Sequence, residues 1–226
     1  MKSTQNILWM LCAIMLYAFL SCQQPDHDPQ NNSNRVARTT AERSDRQASK
    51  PIHETAGRDL QQRTEDRAEH ILTAMKNANI EALSAFVHPE EGVRLSPYGY
   101  VNVETDRVLT PPQMLRMVND STRYLWGHYD GTGDPIRLSF SEYLGAFCYD
   151  KDFIEAPEKT YQKIINRGNT LNNAREVYPD AIILEYHFPG FEPDYGGMDW
   201  ESLRIVLKEF SGQLYLTGII HDQWTI

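Results

Sequence analysis

The neighbours His221 and Asp222, near the end of the chain, have the clearest capacity for chemistry. A carboxylate can act as a general base when an interior position raises its pKa. The pair lies in the second of two β-rich runs. These runs are separated by Ser211-Gly212, a two-residue sequence typical of a hairpin turn. The chemistry open to the pair therefore depends on which face of the hairpin each side chain occupies.

Alternation of side chains along a strand assigns the two residues to opposite faces. In the predicted register Leu207 opposes Leu216 and Leu203 opposes Ile220, and Asp222 falls in step with them on the apolar face. A carboxylate there is costly unless it is paired or lies at an opening, so an interior Asp222 is a candidate catalytic or ligand-binding residue. A bulge would place His221 inside instead, and Asp222 at the end of the sheet could bind backbone amides. We expect only one of the two to be interior.

Four further residues are candidates for a site. His88 follows a predicted helix, where it is either a ligand at a pocket mouth or a helix-end histidine favoured by the helix dipole. Tyr98 is a catalytic candidate, and Trp126 and Trp224 are ligand-binding candidates. An enclosed pocket of several hundred cubic ångströms, lined by two or more of Asp222, His88, Tyr98 and Trp126, would favour an enzyme.

The chain contains one partial match to a metal-binding motif. Asp130, Thr132 and Asp134 match the first half of a calcium loop, but Pro135 stands where glycine is needed and Ser141 where glutamate is needed. The sequence has no glycine-rich phosphate loop, zinc spacing or nucleophile elbow. We therefore predict no cofactor and no metal.

The N-terminus carries a targeting signal. An apolar run of about 14 residues ends in Phe19-Leu20-Ser21-Cys22, and it is too short for a membrane-spanning helix. This sequence resembles the bacterial lipobox, although Phe19 replaces the usual leucine. The resemblance implies that residues 1–21 are a lipoprotein signal peptide and that Cys22 is lipidated. The protein would then be anchored in a membrane of the cell envelope, facing outside the cytoplasm.

Composition divides the remaining chain into a tether and a domain. Residues 22–58 are polar with almost no large apolar side chain, which predicts a disordered tether reaching roughly 30–35 Å. Residues 59–226 are long enough for a single domain. From residue 60 onward the chain has 15 basic and 25 acidic residues, a net charge of −10. This acidity argues against a nucleic-acid partner, because such binding draws on clustered lysine and arginine.

Hydrophobic periodicity predicts helices before a strand-rich second half, which is an α+β pattern with helices packed on one face of an antiparallel sheet. Asn79 and Thr110 are the predicted N-caps of the second and third helices. The predicted helices are 60–77, 80–87 and one from Thr110 to Val118. A short helix capped by Ser139 or Ser141 runs through Phe147. The predicted strands are 92–95, 100–103, 124–129, 136–140, 181–188 and the terminal hairpin.

Two resemblances follow from these elements. The long first helix, the short helix beginning Asn79-Ile80-Glu81-Ala82-Leu83 and the long C-terminal strands resemble the cone-shaped fold of ketosteroid isomerase and nuclear transport factor 2. That resemblance implies a curved sheet whose concave face lines a pocket. The sequences Trp126-Gly127, Asp130-Gly131, Tyr186-His187-Phe188-Pro189-Gly190 and His221-Asp222-Gln223-Trp224 resemble a group of uncharacterised bacterial lipoproteins, which implies no activity.

These observations favour a lipid-anchored, non-enzymatic domain that binds a small molecule or a protein of the envelope. The alternative is an isomerase, dehydratase or hydrolase acting on a small molecule in the cone interior. A third hypothesis is a partner-binding patch on the outer face of the sheet, formed by Tyr215, Ile219 and Val206.

Overall fold

The computed structural model describes residues 51–165 and 171–225, with side chains from residue 56 onward. The predicted signal peptide, Cys22 and the predicted tether up to residue 50 lie outside this part. The helices are α1 (Pro51–Lys76), α2 (Ile80–Phe86), α3 (Pro111–Met117), α4 (Phe140–Phe147) and α5 (Ala174–Val177), with 3-10 turns at Phe153–Glu155 and Pro193–Tyr195. The strands are β1 (Val93–Ser96), β2 (Arg107–Leu109), β3 (Tyr124–His128), β4 (Pro135–Leu138), β5 (Glu158–Tyr161), β6 (Ile182–Phe188), β7 (Glu201–Phe210) and β8 (Gln213–Gln223).

The N-terminal helices follow the predicted pattern, apart from the start of α1. This helix begins at Pro51, inside the stretch predicted as tether, and its residues 56–59 are exposed. The predicted apolar stripe, which includes Ile71 and Leu72, is buried. Asn79 caps α2 as predicted, since its Oδ1 accepts a hydrogen bond of 3.0 Å from the Ala82 amide. These helices cover one face of the sheet.

The fold is α+β, as predicted, with a curved sheet of six strands in the order β2-β1-β8-β7-β6-β5. Neighbouring strands are antiparallel except β1 and β8, which are parallel. Strands β3 and β4 form a separate two-stranded sheet. The strand predicted at 100–103 is wrong, because those residues form a loop, and β2 at 107–109 pairs with β1 instead. No helix in residues 51–165 and 171–225 is long and apolar enough to cross a membrane.

The terminal hairpin has the predicted turn but only part of the predicted register. Ser211 and Gly212 both have positive φ, at 51° and 77°, which matches the twist of a two-residue hairpin turn. Leu207 opposes Leu216 as predicted. The register then shifts by one residue, because Thr217 forms a β-bulge, and Leu203 opposes His221 rather than Ile220. Every side chain of β8 after the bulge is therefore on the face opposite to the one predicted.

Both faces of the central strands are buried. On the helix-covered face, Leu203, Ile205 and Ile219 join the main apolar core. On the opposite face, Val206 and Ile220 pack with apolar residues of the 98–106 loop and the 164–181 segment, among them Val101, Ala174 and Tyr178. The predicted exposed patch is thus wrong, since Val206 and Ile219 are buried and only Tyr215 is partly exposed.

Candidate functional site

His221 and Asp222 are both buried, so the prediction that only one of them is interior is wrong. That prediction assumed one solvated face, whereas loops cover the second face. The bulge places His221 on the helix-covered face, where its ring contacts Phe147 at 5.7 Å between centroids. Its Nδ1 lies 3.3 Å from the Pro97 carbonyl oxygen. Asp222 lies on the opposite face.

Asp222 belongs to a buried ionic network with Glu185 and Arg204. One guanidinium nitrogen of Arg204, Nη2, lies 2.9 Å from Asp222 Oδ2 and 3.0 Å from Glu185 Oε1. The Ile165 amide donates to the other oxygen of Glu185 at 2.6 Å. All three charged side chains are at most 3% exposed. Burial raises the pKa of Asp222, and the charge of Arg204 offsets part of that rise.

The Asp222 carboxylate is sealed by the loop above it. A Cβ on Gly99 would lie closer than 3 Å to all three carboxyl atoms, so glycine is the residue that allows this approach. Asp222 therefore packs directly against the 98–106 loop at Gly99. None of the three cavities described below is lined by it.

A second polar cluster lies on the helix-covered face at the end of β8. It joins His221 to Asp150, Lys151 and Glu201. His221 Nε2 is 3.5 Å from Asp150 Oδ1, and Lys151 Nζ is 3.1 Å from Asp150 Oδ2 and 2.9 Å from Glu201 Oε2. Burial and the charge of Asp150 raise the pKa of Glu201 to about 7. Burial acts in the same direction on Asp150, but its interactions with His221 and Lys151 hold its pKa below the usual range.

An open groove of about 530 Å³ lies beside these residues, between the 97–106 loop and the end of β3. Three tyrosines line it: Tyr98, half-buried against Phe147, and the exposed Tyr100 and Tyr129. Burial raises the pKa of Tyr98. The polar lining residues are Asn102, Thr105, Asp106, His128 and Asp130.

The Asp106 carboxylate is held in place at one side of this groove. Its Oδ2 accepts hydrogen bonds from Ser96 Oγ at 2.5 Å and from the Asn102 amide at 2.9 Å. Burial raises the pKa of Asp106, and these hydrogen bonds offset part of the rise. The groove therefore presents a positioned acceptor beside aromatic rings.

The remaining candidates occupy other places. Trp126 is fully buried, stacks on Tyr143 at 4.1 Å and donates to the Leu138 carbonyl, so its prediction as a ligand-binding residue is wrong. His88 is buried, and its Nδ1 accepts the amides of Glu90 and Glu91, which makes it the cap of a turn. Trp224 is 37% exposed and lines none of the three described cavities.

Two smaller cavities lie elsewhere on the domain. One of about 350 Å³ lies between α1 and the β5–β6 edge, with Lys159 and Tyr186 in its lining. The other, of about 260 Å³, lies between the end of α1 and α4. Cys148 is fully buried near the second, and burial raises the pKa of its thiol, as expected for a packing residue rather than a nucleophile.

Sequence reasoning missed Glu185, Arg204, Asp150 and Glu201. A signal was present for Glu185, a charged residue inside the apolar run of β6. Its partner could not be named without the register of β6 on β7. Comparisons of the chain with protein-family models, with curated proteins and with solved structures found no match.

Proposed function

We propose that this protein is a lipid-anchored lipoprotein of the cell envelope whose domain binds a small polar ligand in the groove between the 97–106 loop and β3. The lipobox at Leu20-Ser21-Cys22 supports the anchor. The observation that carries the binding function is the groove itself, with Tyr98, Tyr100 and Tyr129 beside the fixed carboxylate of Asp106. Exposed tyrosines supply contact area at low entropic cost.

The lining favours a neutral or cationic ligand that carries hydroxyl or N–H donors. Asp106 and Asp130 offer carboxylate acceptors, and no lysine or arginine among residues 56–165 and 171–225 lines the groove. An anionic ligand would meet these acids without a compensating charge. The flat faces of the tyrosines suit a ligand with an apolar face, so its polar edge would meet Asp106.

Binding is favoured over catalysis by how these groups are engaged. Asp106 is committed to two hydrogen bonds, and Tyr98 has a pKa that burial raises further from neutrality. The enzyme hypothesis required a pocket lined by two or more of Asp222, His88, Tyr98 and Trp126. Of the three cavities described, only the groove contains one of them, Tyr98.

We also infer a cone-like arrangement of the nuclear transport factor 2 type. Two observations support it: α1 and α2 pack on one face of the curved sheet, and the long strands β6 to β8 form its centre. In this protein the face beneath the helices is filled by apolar side chains. The groove lies at the edge of that core.

Native mass spectrometry of the full chain purified from membranes tests this function. We expect a co-purified small molecule in the wild type and lower occupancy in Tyr100→Ala, because roughly tenfold weaker affinity, or about 1.4 kcal/mol, is expected when this ring is removed. Tyr195→Ala is the matched control, because Tyr195 is 55% exposed and Tyr100 is 52% exposed. Cys22→Ser should release the protein from the membrane without changing occupancy. A wild type without any bound molecule, or equal occupancy in both tyrosine variants, contradicts the proposal.

A further inference from the structure

We propose that Asp150, Glu201 and His221 form a binding site for a divalent transition-metal ion of the zinc class, with Lys151 as the cation that competes for it. This site is separate from the groove and does not depend on the function proposed for the groove. It joins the end of β8, the start of β7 and the segment after α4. The three side chains are far apart in sequence, and the fold brings them together.

The donor atoms fit such an ion in type and placement. Each residue offers one ligand atom, and the three atoms lie within 4.8 Å of one another. His221 Nε2 and Asp150 Oδ1 are 3.5 Å apart. Bonds of about 2.0–2.2 Å in a tetrahedral zinc site hold ligand atoms roughly 3.3 Å apart, so small side-chain shifts complete the site. Two carboxylates and one imidazole would leave the fourth position for water.

The hydrogen bond on the far side of the imidazole orients the ligand nitrogen. A carbonyl oxygen only accepts, so the contact of 3.3 Å between Pro97 O and His221 Nδ1 requires the hydrogen on Nδ1. When Nε2 carries no proton, its lone pair is directed at Asp150 Oδ1, 3.5 Å away. Metal-binding histidines commonly donate their second nitrogen to a backbone carbonyl in this way.

Convergence of these acceptors favours a positive charge between them. His221 is completely buried, and neither its Nε2 nor Asp150 Oδ1 has a hydrogen-bond partner within residues 56–165 and 171–225. Glu201 is 7% exposed and directs a second carboxylate at the same point. A lone pair facing two carboxylates is unfavourable, and a metal ion relieves the repulsion.

Lys151 partly neutralises the acids but does not satisfy the imidazole. Its ammonium contacts Asp150 and Glu201, and its side chain is 36% exposed. It can therefore move into solvent when a divalent ion binds. The same position makes Lys151 a direct electrostatic competitor, since its charge and the ion occupy one region.

Isothermal titration of Zn²⁺ into the chelator-treated full chain in detergent tests the site. We expect the wild type to bind one zinc ion per chain at this cluster. The affinity for zinc should be at least tenfold weaker in Asp150→Asn and in Glu201→Gln. Lys151→Met should bind several-fold more tightly than the wild type, because the competing charge is removed. Glu209→Gln is the matched control: it makes the same change on the same strand at an exposed position.

Two other results would overturn the proposed metal site. Asp150→Asn binding zinc as tightly as Glu209→Gln would place the ion elsewhere in the chain. No zinc binding by the wild type or by Lys151→Met would overturn the proposal. Asp150 is the least buried of the three ligands, so its variant should stay folded even if changes at His221 do not.

Discussion

The two faces of strands β6 to β8 are both buried, but they are buried by different means. On one face, Ile205 and its neighbours pack under helices in a continuous apolar core. On the other, Arg204 and its two carboxylates lie under irregular segments near the smaller apolar cluster. The neighbouring residues Arg204 and Ile205 of β7 are thus buried in different surroundings, Arg204 among charged side chains and Ile205 among apolar ones. The alternation of side chains along a strand shows which of them share a face, but it does not show whether the polar face is exposed to solvent or buried.

The largest expected effect comes from Arg204→Ala, which leaves two buried carboxylates without their cation. We expect a decrease of about 3–5 kcal/mol in the free energy of unfolding at neutral pH. The neighbour Ile205→Ala should cost about 2–5 kcal/mol through lost burial and a cavity. Urea unfolding of both variants measures how much each face of this strand contributes to the free energy of unfolding.

Acid should separate these two variants. Burial already raises the pKa of Asp222, and loss of Arg204 removes the charge that offsets this rise. Asp222 can then take up a proton, so the deficit of Arg204→Ala should shrink as pH falls. The deficit of Ile205→Ala should not change. Equal pH dependence of the two deficits would refute the ionic character assigned to the second face.

A smaller effect is expected from Asn173→Ala, which loosens the cover of the ionic face. The Asn173 amide bonds both backbone groups of the buried Val101, at 2.7 and 2.9 Å. We expect a loss of about 1–3 kcal/mol, with faster hydrogen exchange at the Val101 amide. The exposed Asn119→Ala should stay within about 0.5 kcal/mol of the wild type. Unchanged exchange at Val101 would mean that other contacts hold the loop.

The smallest expected effect is the pH dependence contributed by Asp106 at the other end of that loop. Burial raises its pKa above the ordinary 3.8, so the folded state holds the proton more tightly than the unfolded state does. The stability from this group is present below the unfolded pKa and is lost as pH rises through the folded pKa. As pH rises above about 4, the free energy of unfolding should therefore decrease less in Asp106→Asn than in the wild type. Asp180→Asn, an exposed change of the same type, controls for the lost charge, and matching profiles for the two variants would contradict the prediction.

Much of the helical part was predictable because its signals are local. Asn79 and Thr110 mark two helix starts, and Ser139 marks a third. The Ser211-Gly212 turn was likewise specified by its own residues. The α+β class followed from the order of these elements, whereas the pairing of β1 with β8 joins distant parts of the chain and has no local signal.

The candidate site was predicted less well because one residue changes its geometry. Thr217 inserts a bulge, and everything after it turns to the other face. Gly218 carried a weak signal, since glycine inside a strand often marks a bulge or a close approach. Here a Cβ would meet the Tyr178 hydroxyl at 2.9 Å. The ionic partners Glu185 and Arg204 depend on strand register, which composition does not encode.

The close approach of Gly99 to Asp222 has an evolutionary consequence. Two neighbouring residues of β8 contact the segment around the loop from below: Asp222 packs against Gly99, and His221 lies 3.3 Å from the Pro97 carbonyl oxygen. A larger residue at position 99 has room only if position 222 becomes smaller, and that change would in turn release Arg204. Among relatives of this protein, positions 99, 204 and 222 should therefore covary, and glycine at 99 should accompany an acidic residue at 222.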